Sequence, residues 1–254
     1  MVLELYLRKR LDEKDILLMT HIVLGYPSFD DNLRIIEAMV ATGVDLMELQ
    51  IPFSRPTADG PVIARANQKA LKGGATVKDC FNLAEKAARI FDIPFFMMSY
   101  YNIPFRYGVE RFVRSMSHGG LRGSIIPDLS PQESHEYLAA MHAHSLAPIL
   151  IFSPTTSLDR MRAIAASGSG FIYCVARKGV TGGNTDFSEE LARYLRRCRK
   201  STSLPLALGF GIKEKFDIDF LKGKADIAVI GSQTIRVMEQ KGVAAVGDFI
   251  RRLR

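Results

Sequence analysis

Short apolar runs recur along the chain. Each ends in a polar turn carrying Gly or Pro, and a stretch follows in which apolar residues return every three or four positions. The short runs predict strands over Leu17–Leu24, Asp45–Ile51, Phe95–Ser99, Gly123–Ile126, Ala147–Phe152, Gly170–Val175, Leu206–Gly209 and Ile227–Ile230. The longer periodic stretches predict helices over Phe29–Thr42, Val62–Leu71, Val77–Phe91, Val109–His118, Pro131–His144, Leu158–Ser167, Phe187–Lys200 and Lys213–Lys222. A further helix over Leu3–Lys14 precedes the first strand, and Val243–Leu253 closes the last unit.

Strands that alternate with helices pair in parallel, and eight such units in 254 residues fit a (β/α)₈ barrel, which uses about 250 residues as one domain. A doubly wound sheet has fewer strands and opens with a GxGxxG turn, which this chain lacks. The expectation is therefore an α/β protein, a single TIM-barrel domain spanning residues 1–254. The helix at Leu3–Lys14 should plug the barrel bottom, and a mobile loop should follow strand 6.

Composition narrows the function classes. The 34 Lys and Arg against 27 Asp and Glu give a formal charge of +7. The excess sits in short runs such as Arg196-Arg197-Cys198-Arg199-Lys200 and Arg251-Arg252-Leu253-Arg254 near helix ends, where cations complement the helix dipole. That argues against nucleic-acid binding and favours an anionic small-molecule substrate. Cys80, Cys174 and Cys198 are odd in number and form no CxxC pair, so neither a disulfide framework nor a zinc site is expected. No apolar run reaches the roughly 20 residues of a membrane span, and the charged start lacks a leader pattern, which together predict a cytoplasmic protein.

In such a barrel the chemistry gathers at the C-terminal ends of the strands. After strand 2 the chain reads Met47-Glu48-Leu49-Gln50-Ile51-Pro52-Phe53-Ser54-Arg55-Pro56-Thr57-Ala58-Asp59-Gly60-Pro61. Strand alternation puts Glu48 and Gln50 on one face. A lone Glu at a strand end also reads as a salt-bridge partner, and Asp59-Gly60 as a plain turn. Late in the chain stand Gly209-Phe210-Gly211-Ile212 and Gly231-Ser232-Gln233-Thr234-Ile235, after strands 7 and 8, where barrels build phosphate sites. Glycine lets backbone N–H groups approach an anion, and Ser232 is placed to cap the helix that follows. The polar, glycine-rich stretch at 177–184 after strand 6 has the make-up of a lid.

Together with Gly25-Tyr26-Pro27, Asn67-Gln68, Tyr100-Tyr101-Asn102, Pro127-Asp128-Leu129, Pro154-Thr155-Thr156 and Gly179-Val180-Thr181-Gly182, these motifs resemble, in order and over nearly the whole chain, the α subunit of tryptophan synthase. The resemblance implies a barrel that cleaves indole-3-glycerol phosphate to indole and glyceraldehyde 3-phosphate. It also implies an α₂β₂ partnership with a β subunit that carries pyridoxal phosphate, receives the indole to make tryptophan, and is activated allosterically. This chain itself is then expected to need no cofactor and no metal. By the same resemblance Glu48 is the general acid/base and Asp59 accepts the indole N–H. Tyr100 and Tyr173 lie beside the indole, and Thr181 orders the site on closure. Gly182, Gly211 and Ser232 hold the phosphate, in a pocket shaped by Phe210 and Gly231.

The chain departs from that family at several places. Gln50 stands where the family has Gly, and Arg55 where it has Asp; Ala176, Ile103-Pro104 and Ser130 are smaller changes. A glutamine on the Glu48 face is expected either to fill substrate space or to hydrogen-bond Glu48, so that Gln50→Gly raises activity. Arg55 changes a loop engaged in α–β communication by two charge units, which predicts an altered partner surface. Two functions stay open on these residues: a working lyase subunit, or a catalytically weak subunit that acts mainly as an allosteric regulator of β.

Overall fold

A computed structural model describes residues 3–176, 189–209 and 211–254. The strands are β1 (Leu17–Val23), β2 (Leu46–Gln50), β3 (Phe95–Met98), β4 (Gly123–Ile125), β5 (Ala147–Phe152), β6 (Ile172–Val175), β7 (Leu206–Gly209) and β8 (Ile227–Ile230). Each pairs in parallel with the next, and β8 returns to β1, so the sheet closes into a (β/α)₈ TIM barrel. Every strand lies where the apolar runs predict it, within two residues at either end.

The helices are α1 (Leu3–Glu13), α2 (Phe29–Ala41), α3 (Pro61–Lys72), α4 (Val77–Ile90), α5 (Asn102–Tyr107), α6 (Val109–His118), α7 (His135–Ala143), α8 (Leu158–Ser167), α9 (Glu189–Ser201), α10 (Lys215–Leu221), α11 (Ser232–Lys241) and α12 (Ala244–Leu253). Their starts follow local chemistry. Ser28 accepts the backbone N–H of Asp31 to cap α2, and Thr76 and Asp79 form a capping box on α4. Two elements differ from the sequence expectation. The helix expected over Pro131–His144 opens as a separate 3₁₀ turn at Pro131–Glu133, and Ser134, whose hydroxyl bonds the Pro131 carbonyl at 2.8 Å, interrupts it before α7. The segment Ile103-Pro104 forms the unexpected α5, where Pro104 stands in the first turn and its missing N–H leaves no bond broken.

Strand alternation separates two apolar layers. Leu18 and Ile22 of β1, Met47 and Leu49 of β2 and Met97 of β3 face outward into the core shared with the helices. Leu17 and Met19, Leu46, Phe96 and Met98, Ile149, Ala207, and Ile227 and Val229 face inward and fill the barrel. Leu3 and Leu7 of α1 join this inner cluster, so α1 closes one end of the barrel. Fully buried Asp45 fastens that closure: it accepts from Arg10 at 2.8 Å, Lys14 at 2.5 Å, Arg254 at 3.0 Å and the Leu18 N–H at 3.0 Å. With that end sealed, the inward positions at the opposite, C-terminal ends of the strands are left to form a site.

Candidate active site

One step further along each strand, the inward parity that places Met19, Leu46 and Phe171 in the barrel core reaches His21, Glu48 and Tyr173. With Asp59, Gly211 and Ser232 they line a single pocket of about 860 Å³, open mouth included. Glu48 is 4% exposed and stands opposite His21 in the β1–β2 register. Its Oε1 lies 2.9 Å from His21 Nδ1, and the Tyr173 hydroxyl donates to the same oxygen at 3.5 Å. Tyr173 can lean this way because residue 209 is glycine: a Cβ there would fall 2.5 Å from the tyrosine ring and hydroxyl.

Asp59 comes to the pocket from the loop after β2, and that loop is pinned at several points. The Phe53 N–H donates to Asn67 Oδ1 at 2.7 Å, and the Phe53 ring stacks on Tyr100 with centroids 5.0 Å apart. The Ala58 N–H donates to the Tyr100 hydroxyl oxygen at 3.0 Å. That hydroxyl in turn donates to Asp59 Oδ2 at 3.0 Å, and Gln50 Nε2 donates to the same oxygen at 2.6 Å.

Gln50 takes neither of the two places expected of its side chain. It is fully buried and absent from the pocket lining, and its amide serves Asp59. Glu48 is already engaged by His21, and Gln50, one inward step nearer the strand end, meets the carboxylate that the loop folds back over it. Tyr100 also stands behind Asp59, outside the pocket lining. Arg55 is exposed on the same loop.

The electrostatics follow from burial. Burial favours the neutral form of Asp59 and raises its pKa above the ordinary carboxylate value, against the opposing pull of the His21 charge and the Gln50 and Tyr100 hydrogen bonds. Burial works the other way on His21, but the hydrogen bond and charge of Glu48, the charge of Asp59 and the contribution of Gln50 outweigh it and raise the imidazole. Burial and the nearby carboxylates hold Tyr173 well above the ordinary phenol value, so it is a neutral donor.

At the other end of the pocket, Gly211 has φ +82°, a left-handed conformation that favours glycine. Gly231 is the N-cap of α11 and makes no side-chain cap bond. Ser232 is therefore the first helical residue rather than the cap that the sequence suggested. The first turn of α11 opens into the pocket at Gly231, Ser232 and Gln233 beside Gly211, with Lys213 and Arg236 also at the wall, an arrangement suited to an anion. Thr181, Gly182, Phe210 and the expected lid at 177–184 lie outside the described residues.

His21 is the site residue that the motifs do not announce. Its signal is parity alone, a polar residue continuing the inward series Leu17, Met19 in an otherwise apolar strand. Among the described residues, no group of three or more His, Cys, Asp or Glu is arranged to hold a metal ion, and no helix is long and apolar enough to cross a membrane.

A family model described as tryptophan synthase alpha chain matches residues 7–249. Curated relatives of that description include one from Syntrophotalea carbinolica, 60% identical over 253 residues and covering 100% of both chains. Another, from Desulforapulum autotrophicum, is 60% identical over 252 residues, covering 99% of this chain and 100% of the relative. A solved Mycobacterium tuberculosis tryptophan synthase structure superposes with TM-score 0.93 at 29% identity, covering 99% of this chain and 96% of that one. A chain of a tryptophan synthase complex from Pyrococcus furiosus superposes with TM-score 0.85 at 25% identity, covering 93% and 96%.

Proposed function

We propose a reaction from the following premise: the chain belongs to the tryptophan synthase alpha chain family, a lyase family of tryptophan biosynthesis. The reaction is retro-aldol cleavage of indole-3-glycerol phosphate to indole and glyceraldehyde 3-phosphate. The observation that carries it is that Glu48, Asp59 and the α11 N-terminus line one pocket, so an acid/base, an acceptor for a ring N–H and an anion site face the same substrate. The phosphate sits against backbone N–H groups at Gly211 and Ser232, with Gly231 shaping the wall. By the family motifs, Gly182 is proposed to join the phosphate contacts, Phe210 to shape that pocket and Thr181 to order the site on closure.

Cleavage starts with Glu48, in its protonated form, delivering that proton to indole C3. The indole ring gains positive charge, which Asp59 stabilises as it accepts the ring N–H. Gln50 and Tyr100 occupy Oδ2 of Asp59, leaving Oδ1 to the substrate. Glu48 then takes the proton of the glycerol hydroxyl next to the breaking bond. The C–C electron pair returns to the indole ring, and the hydroxyl carbon becomes the aldehyde carbonyl. Tyr173 flanks the ring and donates to Glu48, which keeps one carboxylate oxygen oriented.

The product indole passes to a β subunit in an α₂β₂ assembly in the cytoplasm. Pyridoxal phosphate resides in that β subunit, and loading this chain shifts β toward its working state. Exposed Arg55 faces that partner and calls for a complementary acidic group on it. The test is indole release from indole-3-glycerol phosphate with and without β. Release that is stimulated by β and abolished in Glu48→Gln supports the reaction. Binding to β and stimulation of its synthesis of tryptophan from indole, with no cleavage, would replace the lyase by a regulatory subunit.

A further inference from the structure

Glu48 and His21 are register neighbours on adjacent strands, both face inward, and both are almost fully buried. His21 Nδ1 meets Glu48 Oε1 at 2.9 Å. The other ring nitrogen, Nε2, is buried without a hydrogen-bond partner, as is Oε1 of Gln50. An imidazole wedged into a barrel core only for packing would be better replaced by an apolar side chain, because each unpartnered polar atom carries a desolvation cost. The pair lines the same pocket as Asp59, at the place where the proposed cleavage needs a proton.

We propose that His21 is a positioning residue that orients Glu48 and shares with it the single proton that the cleavage consumes and returns. The inference deepens the proposed reaction and rests on it. A lone glutamate with an ordinary pKa near 4.3 is protonated in roughly one molecule in 500 at pH 7, so on its own it seldom offers a proton. A hydrogen-bonded imidazole and carboxylate titrate as a unit, and that unit keeps a proton to higher pH than a carboxylate does. In the resting pair the proton lies between Nδ1 and Oε1. Delivery to indole C3 leaves a neutral imidazole and a carboxylate. When the carboxylate takes the glycerol hydroxyl proton, the pair regains what it gave, so nothing is drawn from solvent during the bond cleavage.

The surroundings agree. Glu48 of β2 and Asp59 of the following loop are the carboxylates that face His21, and both favour its charged form. Gln50 of β2 also supports the imidazolium, and Tyr173 of β6 is a neutral donor on the far side of Glu48. From α11, Thr234 Oγ1 reaches the His21 carbonyl oxygen at 3.4 Å, while β8 brings apolar Val229. Lys213 and Arg236 are the cations on the pocket wall.

The test uses His21→Asn, which can still donate an N–H to Glu48 but cannot titrate, alongside His21→Phe, which does neither. In the α–β complex at pH 8, His21→Asn is expected to lower kcat for indole release by about 10-fold or more with KM changed less than about 2-fold. Its alkaline limb should move to lower pH by about one unit or more, because a carboxylate alone now holds the proton. His21→Phe should lose the orientation as well and fall further. An alkaline limb in His21→Asn that coincides with the wild-type limb overturns proton sharing.

A readout independent of turnover is the NMR titration of the His21 imidazole in wild type and in Glu48→Gln. The wild-type value is expected above the ordinary histidine value and should fall by about one unit or more in the variant. An unchanged titration refutes the pair. If the pair titrates as expected but no indole is released by wild type, the reaction has failed and the pair has not.

Discussion

Replacing Gln50 by methionine separates the two roles a buried glutamine can play in this pocket. Methionine nearly keeps the volume, so no cavity opens and the strand packing stays in place. The carbonyl Oε1 meets no geometric hydrogen-bond partner, but the amide also favours the charged form of His21, a smaller support that methionine removes as well. What disappears is the 2.6 Å bond from Nε2 to Asp59 Oδ2, which leaves the Tyr100 hydroxyl to hold that oxygen alone. A hydrogen bond to a charged group is worth about 1.5–3 kcal/mol, which is roughly 10- to 150-fold in an equilibrium or rate. Asp59 already lies above the ordinary carboxylate value because it is buried, and losing Gln50 pushes it further the same way. The neutral carboxyl group stabilises growing positive charge on the indole poorly. The expected result is a fall in kcat/KM for indole release by about that factor at pH 7, with part of it recovered at higher pH as Asp59 ionises. Steady-state indole release in the presence of β, over pH 6 to 9, is the assay. A Gln50→Met enzyme as fast as wild type would show that the Gln50–Asp59 bond contributes nothing to cleavage, and a faster one that Gln50 restrains the site.

Gly209→Ala brings a Cβ to within 2.5 Å of Tyr173, so Tyr173 must leave Glu48; kcat/KM should fall about 10-fold with the circular dichroism spectrum unchanged, since misplacements of about 1 Å carry such costs. Gly211→Val forces a β-branched residue into φ +82°, and calorimetry should show glycerol phosphate binding lost while Gly231→Ala, whose Cβ meets nothing closer than 3.7 Å, still binds. Asp45→Ala removes the acceptor shared by Arg10, Lys14 and Arg254, costing about 3 kcal/mol or roughly 6–12 °C in Tm, with indole release at 25 °C unchanged. Burial opposes the charge on Asp45, but its bonds from Lys14, the Leu18 N–H and Arg10 prevail and hold it below the ordinary value. Its contribution is therefore present above the unfolded carboxylate pKa and is lost as pH falls through the lower folded one. Acid unfolding of wild type should show this loss, and Asp45→Ala should not.

The barrel is legible because its strands, buried on both faces, read as short continuous apolar runs, each bounded by a turn and followed by a helical period. The runs therefore give position and order, as the match of β5, β7 and β8 at both ends shows. Glu48 and Asp59 were legible as motif residues, and strand parity placed Glu48 in the barrel. The partners of these side chains were not legible. Glu48 meets His21 and Gln50 meets Asp59 through strand register and a loop folding back over the mouth. Both are contacts across 27 and 9 residues that parity within one strand cannot rank. α5 is hidden for a similar reason, since Pro104 reads as a break until its position in the first turn is known.

A crystal structure of the Glu48→Gln variant with indole-3-glycerol phosphate bound would show the substrate in the pocket, because in that variant it stays intact. Phosphate oxygens are expected within about 2.7–3.2 Å of backbone N–H groups at Gly211 and Ser232. The indole N–H is expected on Asp59 Oδ1, with residue 48 facing C3. Phosphate bound away from the α11 N-terminus, or an indole N–H that does not meet Asp59, would contradict the proposed reaction.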